Sequence, residues 1–350
     1  MVECILPSDD VRPQPDVAGR PRRIGIIGLG RMGSFHAAAY RRLGAVIAAG
    51  TDPNAQSRAA FEDEYGAPTF ASTSEMLANT DLDIVSICSP PRSHPDDVIE
   101  TLDAGLHVLC EKPLAVDIDS ARRVQRAADE APGQIFMVAF FNRFFEPVRT
   151  LVEEHRRADN DLGGLRALHI RFNLGNQEPR PWQYDRTVAG GGAIMNNLVH
   201  AIDLFRYFAG EPERAVALTR TDPRFSADLE SDAYAMLLGI DGVVGVLETC
   251  SWSAQRSFNL RAEFERAVAT VTWSPPSLTI ERTGQPPQYM EMQVKDPLSR
   301  IEDSIRYFLG GIEAKKTLHP NQLDAVRAIE IAGGLYDSVA GGTFVNTQSA

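Results

Sequence analysis

Along the first 140 or so positions, short apolar runs alternate with stretches in which apolar residues recur at three- and four-residue intervals. The first pattern is that of buried strands and the second that of amphipathic helices. Arg23 to Gly28 reads as a strand and Met32 to Leu43 as a helix. Ala45 to Gly50, Pro68 to Phe70, Asp83 to Cys88, His107 to Glu111 and Gln134 to Phe140 read as further strands. Between them lie helices over Asn54 to Tyr65, after Ser72-Thr73-Ser74-Glu75, over His94 to Ala104 and over Asp117 to Ala131. Ser72 and Glu75 have the spacing of a capping box. Regular alternation of this kind predicts βαβ units, and so an α/β chain whose N-terminal half is a doubly wound parallel sheet of about six strands. That domain closes near residue 143.

The pattern then changes. Glu146 to His155 reads as a helix, and Leu165 to Phe172 alternates residue by residue as a half-buried strand does. After Gly190-Gly191-Gly192 the run Ala193 to Phe208 has helical periodicity. Closely spaced strands follow, with a hairpin turning at Asp241-Gly242, and two helical stretches, Leu298 to Leu309 and Pro320 to Val339, end the chain. The expected division is a flexible extension over 1–21, a dinucleotide-binding domain over 22–143 and an α/β domain with an antiparallel sheet over 144–350.

Composition narrows the class. In 350 residues, 43% hydrophobic and 23% charged content suffices for two globular domains. A formal net charge of -12 argues against a nucleic-acid partner and against an anionic membrane surface, and favours a small-molecule substrate. Cys4, Cys88, Cys110 and Cys250 are scattered without C-x-x-C spacing, which predicts a reducing, cytoplasmic compartment. No apolar run approaches the ~20 residues of a membrane helix, and the N-terminus lacks the pattern of a secretory signal. The histidines and carboxylates show no metal-ligand spacing, so no metal is expected.

The chemistry begins at Gly28-Leu29-Gly30-Arg31-Met32-Gly33, directly after the first strand. Gly28 permits a tight turn, Gly30 removes a side chain where a pyrophosphate approaches, and Gly33 lets the helix pack closely on the sheet. The helix N-terminus, beginning with Arg31 and Met32, then faces the phosphates. Asp52, at the end of the second strand, is placed to accept hydrogen bonds from ribose hydroxyls and to repel a 2′-phosphate, which favours NAD over NADP. Arg58 on the next helix reads as a solvated charge rather than a phosphate ligand. Lys112, in Glu111-Lys112-Pro113, lies at the C-terminal end of a later strand of the same sheet.

The glycine loop, Ser89-Pro90-Pro91 with His94, Glu111-Lys112-Pro113, and the glycine triplet followed by His200 and Asp203 resemble the glucose-fructose oxidoreductase, inositol dehydrogenase and rhizopine-catabolism family (Gfo/Idh/MocA). The resemblance runs over nearly the whole chain from residue 22. It implies an N-terminal Rossmann domain and a C-terminal α/β domain with an open, mostly antiparallel sheet used for oligomerisation, with the C-terminal helix packing back on the Rossmann domain. It further implies an NAD-dependent sugar or cyclitol oxidoreductase that forms a homodimer or homotetramer. Ser89, Pro90, His94 and Glu111 join the glycine loop and Asp52 as cofactor-binding candidates, and Lys112 stands beside both nicotinamide and substrate. The peptide before Pro113 is expected to be cis.

In that family the central helix carries an aspartate and, four residues later, a histidine. Here the positions hold Asn196 and His200. The imidazole retains the capacity to take or return a hydroxyl proton, whereas the amide orients and cannot share a proton. Arg143, Trp182 and Asp203 complete the substrate-binding candidates, and Tyr184 beside Trp182 is a second ring able to stack on a sugar. His36 is expected to pack or hydrogen-bond locally. Two other readings stay open: a redox-neutral, NAD-dependent glycosidase and a non-catalytic NAD-binding sensor.

Overall fold

The computed structural model describes residues 20–175, 180–223, 228–292, 296 and 298–347. The extension expected over 1–21 lies almost entirely outside the described residues, as does Cys4. Contacts divide the chain into two compact units. One runs to Phe141 and takes in Asp296–Val326, and the other begins at Asn142 and resumes at Arg327.

The first unit is built on β1 (Arg23–Ile27), β2 (Val46–Thr51), β3 (Thr69–Phe70), β4 (Ile84–Ile87), β5 (His107–Cys110) and β6 (Phe136–Val138). They form one sheet of order β3-β2-β1-β4-β5-β6 with every pairing parallel. The order reverses beside β1, which is where a doubly wound sheet opens a ligand crevice at its C-terminal edge. The connecting helices are α1 (Arg31–Arg42), α2 (Ala55–Tyr65), α3 (Thr73–Asn79), α4 (His94–Asp103) and α5 (Ile118–Asp129).

Local chemistry sets their starts. The Asn54 side chain accepts from the N–H groups of Gln56 and Ser57, Ser72 from Glu75, and Asp117 from Ser120. The parallel strands are buried on both faces, as their continuous apolar runs require, with Ile24, Ile26, Ile84, Ile87 and Leu109 fully enclosed. Helix α9 (Ser299–Ala314) belongs to this unit and packs on α1, although it lies far along the chain.

The second unit contains α6 (Glu146–Arg156), β7 (Leu165–Leu174), α7 (Arg186–Ala189) and α8 (Val199–Ala209). Then come β8 (Pro212–Arg220), β9 (Asp232–Gly239), β10 (Val244–Cys250), β11 (Arg256–Phe264), β12 (Ala267–Thr272), β13 (Ser277–Arg282) and β14 (Gln288–Glu291). Helix α10 (Gln322–Gly341) and β15 (Val345–Asn346) follow. The nine strands form one sheet of order β14-β13-β12-β11-β7-β10-β9-β8-β15. All pairings are antiparallel except β7 with β10. The turn between β9 and β10 is the expected hairpin, with Gly242 at φ +78. Helix α8 packs against the sheet on β7 and β10, so one face is core and the other alternates toward solvent.

One local feature departs from the sequence expectation. The run Ala193 to Phe208 is not α-helical throughout: Ile194–Leu198 is a π turn, in which the Val199 N–H reaches back to the Ile194 carbonyl. The 3.6-residue period of the apolar positions carries no mark of this wider turn. Asn196 lies inside it and His200 just beyond, so the turn, rather than a regular four-residue step, sets their relative direction.

Candidate functional site

The candidate residues of the first unit begin where β1 ends. Gly28 has φ +83, and a Cβ there would stand 2.5–2.7 Å from main-chain atoms of Cys88 and Ser89, so the loop passes the segment after β4 too closely for any side chain. A Cβ on Gly33 would lie 2.0 Å from the Gly28 carbonyl oxygen, which explains the close seat of α1 on the sheet. Gly30 differs: nothing lies within 4 Å of the position its Cβ would take. It is the N-cap of α1, with no side chain to engage the first-turn N–H groups and no acidic residue in that turn. A cradle open at Gly30 and floored by Gly28 and Gly33 fits a dinucleotide pyrophosphate.

Asp52 braces this loop. Its Oδ2 accepts the Leu29 N–H at 2.9 Å and its Oδ1 accepts the Asn54 N–H at 2.8 Å. The Arg58 guanidinium donates to the carbonyls of Asp52 and Pro53 at 2.8 and 3.1 Å, so it holds the end of β2 in place.

Across the switch point, the segments after β4 and β5 are tied together. Ser89 donates its hydroxyl to Asp97 at 2.7 Å. His94 is buried, with Nε2 at 2.7 Å from the Ser89 carbonyl and Nδ1 at 2.8 Å from the Pro113 carbonyl. Burial holds His94 below its ordinary pKa while the two carbonyls pull the other way. A neutral ring has a single N–H and donates to one of them. The Lys112–Pro113 peptide is cis, and Lys112 is half-buried.

Glu111 turns its carboxylate inward, toward His36 at 3.2 Å, and accepts the Lys112 N–H at 3.1 Å. His36, wholly buried, also meets the Ser86 hydroxyl at 2.7 Å. Burial opposes a charge on His36, but Cys88 and the Glu111 carboxylate favour it and push its pKa up to about 10. Pairing with His36 in turn holds Glu111 below its usual range against its own burial. The sequence predicts that His36 packs or hydrogen-bonds locally; it does hydrogen-bond, but its partner Glu111 is 75 positions away.

The second unit carries the helix that starts at the π turn. His200 is 7% exposed and lies stacked on Phe172 of β7, ring centroids 5.8 Å apart, and Phe172 stacks on Phe258 of β11 at 4.6 Å. Asn196 is half-buried in the π turn. One turn beyond His200, Asp203 is 1% exposed and is clasped by Arg143 through two hydrogen bonds, Nε to Oδ2 at 2.8 Å and Nη2 to Oδ1 at 2.5 Å. Arg143 also lies over the Tyr207 ring. Trp182 and Tyr184 occupy a short 3-10 turn, Pro181–Tyr184, with Trp182 half-buried and Tyr184 exposed. Among the described residues no group of three His, Cys, Asp or Glu side chains is gathered to hold a metal ion. No helix among them is long and apolar enough to cross a membrane.

A parallel sheet of order 3-2-1-4-5-6 with a glycine loop open at the switch point defines a dinucleotide-binding domain, here joined in one chain to a second unit of helix on mixed sheet. Residues 22–140 match the GFO/IDH/MocA model described as an oxidoreductase family with an NAD-binding Rossmann fold, and residues 148–269 match the C-terminal domain model of the same family. The chain belongs to the GFO/IDH/MocA family of NAD-binding oxidoreductases.

Among curated relatives, the inositol 2-dehydrogenase of Arthrobacter sp. (strain FB24) is 33% identical over 54% of this chain and 54% of its own, so the match spans about half that protein's length. The inositol 2-dehydrogenase of Corynebacterium glutamicum (strain ATCC 13032) is 30% identical over 71% of this chain and 73% of its own. Among solved structures, a levoglucosan dehydrogenase in complex with NADH and levoglucosan superposes with a TM-score of 0.88 over 94% of this chain and 100% of its own, at 18% identity. That likeness is one of fold.

Proposed function

We propose that this protein is an NAD-dependent dehydrogenase or reductase that moves a hydride between nicotinamide and a secondary alcohol or ketone of a sugar, a sugar derivative or a cyclitol. The observation that carries the reading is the open cradle at Gly30, in a chain that also places a lysine after β5 and a histidine on α8. The relatives' names support a polyhydroxylated ring as substrate.

Bound NAD supplies the hydride acceptor, and in its reduced form the donor. The Lys112 ammonium polarises the substrate oxygen and favours the charge that grows on it. His200 takes the hydroxyl proton as the C–H bond breaks and the C=O bond forms, and returns it in reduction. Asn196 orients the hydroxyl, with an amide that donates and accepts but holds no titrating proton. The N–H groups of Arg31 and Met32 meet the pyrophosphate across the open position at Gly30, Gly28 and Gly33 shape the cradle beneath it, and Asp52 meets the ribose and disfavours NADP. Ser89 and Pro90 flank the cofactor. His94 and Glu111 serve it from behind, by fixing the main chain on either side of Lys112. Trp182 and Tyr184 stack on the substrate ring, while Arg143 and Asp203 shape its pocket as a buried pair.

We place the protein in the cytoplasm as a homodimer or homotetramer. The solvent face of the nine-stranded sheet supports self-association: Leu218 is 74% exposed, and Tyr234, its register partner, and Met236 are nearly half exposed. A monomer by light scattering at micromolar concentration refutes this.

The catalytic assignment is tested with Lys112→Ala and His200→Ala. Each is expected to lower kcat by about 10²–10⁴-fold while NAD still binds. Retention of wild-type turnover in either variant overturns the role given to that residue.

A further inference from the structure

Gly190-Gly191-Gly192 precedes the helix that bears Asn196 and His200, and two of these glycines have a steric reason to be there. A Cβ on Gly191 would lie 2.0 Å from the Tyr336 hydroxyl oxygen, and one on Gly192 would lie 2.2 Å from the Glu230 carbonyl oxygen and 2.8 Å from its carboxyl carbon. The close approach serves hydrogen bonds. Glu230 Oε1 accepts the N–H groups of Gly192 and Ile194, both at 3.1 Å, and the Tyr336 hydroxyl at 2.6 Å. The Glu230 carbonyl accepts the N–H of Ala193 at 2.8 Å.

Three successive N–H groups at the head of the helix therefore end on one residue, itself 5% exposed. Such groups have no acceptor within the helix, and a carboxylate opposite them is favoured by their partial positive charge. Glu230 immediately precedes Ser231 and β9, so the cap ties the helix head to the sheet, while Tyr336 comes from α10. Burial and the Glu230 carboxylate hold the Tyr336 phenol well above its ordinary pKa, so it remains a donor at working pH.

The turn capped in this way is the π turn Ile194–Leu198. Single π turns inside helices are rare and concentrate at functional sites. Asn196 lies two residues past Ile194, and His200 six. Any change in how residues 192–198 are wound rotates and shifts both side chains.

We propose that Glu230 and Tyr336 are positioning residues: the Glu230 carboxylate, fixed by the Tyr336 hydroxyl, sets the winding of the π turn and with it the direction of Asn196 and His200. The inference rests on the roles given to those two residues under the proposed function.

The test compares Tyr336→Phe, Glu230→Ala and Glu230→Gln with wild type by kcat, KM, the dissociation constant for NAD, and hydrogen exchange over residues 190–200. A misplacement of about 1 Å costs on the order of 10²-fold in rate. Glu230→Ala is therefore expected to lower kcat by about that factor and Tyr336→Phe by about tenfold, with NAD affinity within about twofold of wild type. Glu230→Gln keeps an acceptor oxygen and recovers most of the loss. Exchange at residues 192–194 quickens at least about tenfold in Glu230→Ala. If Glu230→Ala fails to fold, Tyr336→Phe, which removes one oxygen, carries the comparison.

Wild-type kcat in Tyr336→Phe, unchanged exchange, or loss of NAD binding in step with activity overturns the proposal. Failure of the underlying oxidoreductase reading looks different: the wild-type protein itself is then silent with every polyol.

Discussion

Gly30 caps α1 and Gly33 lies three residues on, in its first turn, yet the structure gives them opposite sensitivities. At Gly33 an added methyl group meets the Gly28 carbonyl oxygen at 2.0 Å and the Ile26 side chain at 3.3 Å. The first of these is main chain and cannot swing aside. Forcing a methyl group into such a contact costs about 1–3 kcal/mol, little offset by the better helix propensity of alanine. At about 2–4 °C per kcal/mol for a unit of this size, Gly33→Ala is expected to melt roughly 2–12 °C below wild type.

At Gly30 the backbone, φ -78 and ψ -164, suits alanine, and the added methyl meets nothing. Gly30→Ala should therefore melt within about 1–2 °C of wild type. Its cost falls on the cofactor, because the methyl occupies the space through which the pyrophosphate reaches the helix N-terminus. Loss of one hydrogen bond to a charged group is worth about 1.5–3 kcal/mol, or roughly 10–150-fold in the dissociation constant for NAD. Calorimetric titration with NAD and thermal melts of both variants separate the effects. Gly30→Ala with wild-type NAD affinity would refute the placement of the pyrophosphate, and Gly33→Ala melting with wild type would refute the packing argument.

Asp52→Asn removes the negative charge opposite a 2′-phosphate, and the ratio of NADP to NAD affinity should rise about tenfold; an unchanged ratio by titration with both nucleotides contradicts the role of Asp52. Arg143→Ala takes away the bidentate partner of a carboxylate that is 1% exposed. A loss of about 3–5 kcal/mol is expected, seen as a fall in Tm on the order of 10 °C. A residue that touched only substrate would change KM and leave Tm alone.

His36 titrates higher in the folded protein, at about 10, than its ordinary 6.5. Between those values the native state binds more protons than the unfolded one, so the interactions of His36 with Cys88 and Glu111 stabilise fully below about pH 6.5 and their contribution fades as pH rises through about 10. Thermal melts from pH 6 to 10 should fall more steeply for wild type than for His36→Gln, and equal slopes refute a charged His36 in the folded protein.

Much of the fold was legible because it is written in local pattern. Continuous apolar runs such as Ile24 to Ile27 marked parallel strands, Ser72 with Glu75 and Asp117 marked helix starts, and Asp241-Gly242 marked a hairpin. The glycine loop was legible for the same reason, since its function depends on consecutive backbone positions. What stayed hidden depends on partners distant in sequence. The glycine triplet signals that something approaches the chain closely, but nothing in it names Glu230 or Tyr336. His36 and Glu111 are likewise joined only through the sheet, and α9 joins the first unit from beyond the whole of Asn142–Lys295. The π turn leaves no trace in a 3.6-residue period.

The central claim is that this chain transfers hydride between nicotinamide and a polyhydroxylated ring. The most direct test is absorbance at 340 nm of the purified protein with NAD and a panel of inositols, aldoses, sugar acids and nucleotide sugars, run also in reverse with NADH and the corresponding ketones. The account predicts NADH formation or consumption with one chemical group of the panel, faster with NAD than with NADP. Tight NAD binding with no change at 340 nm in either direction would contradict it.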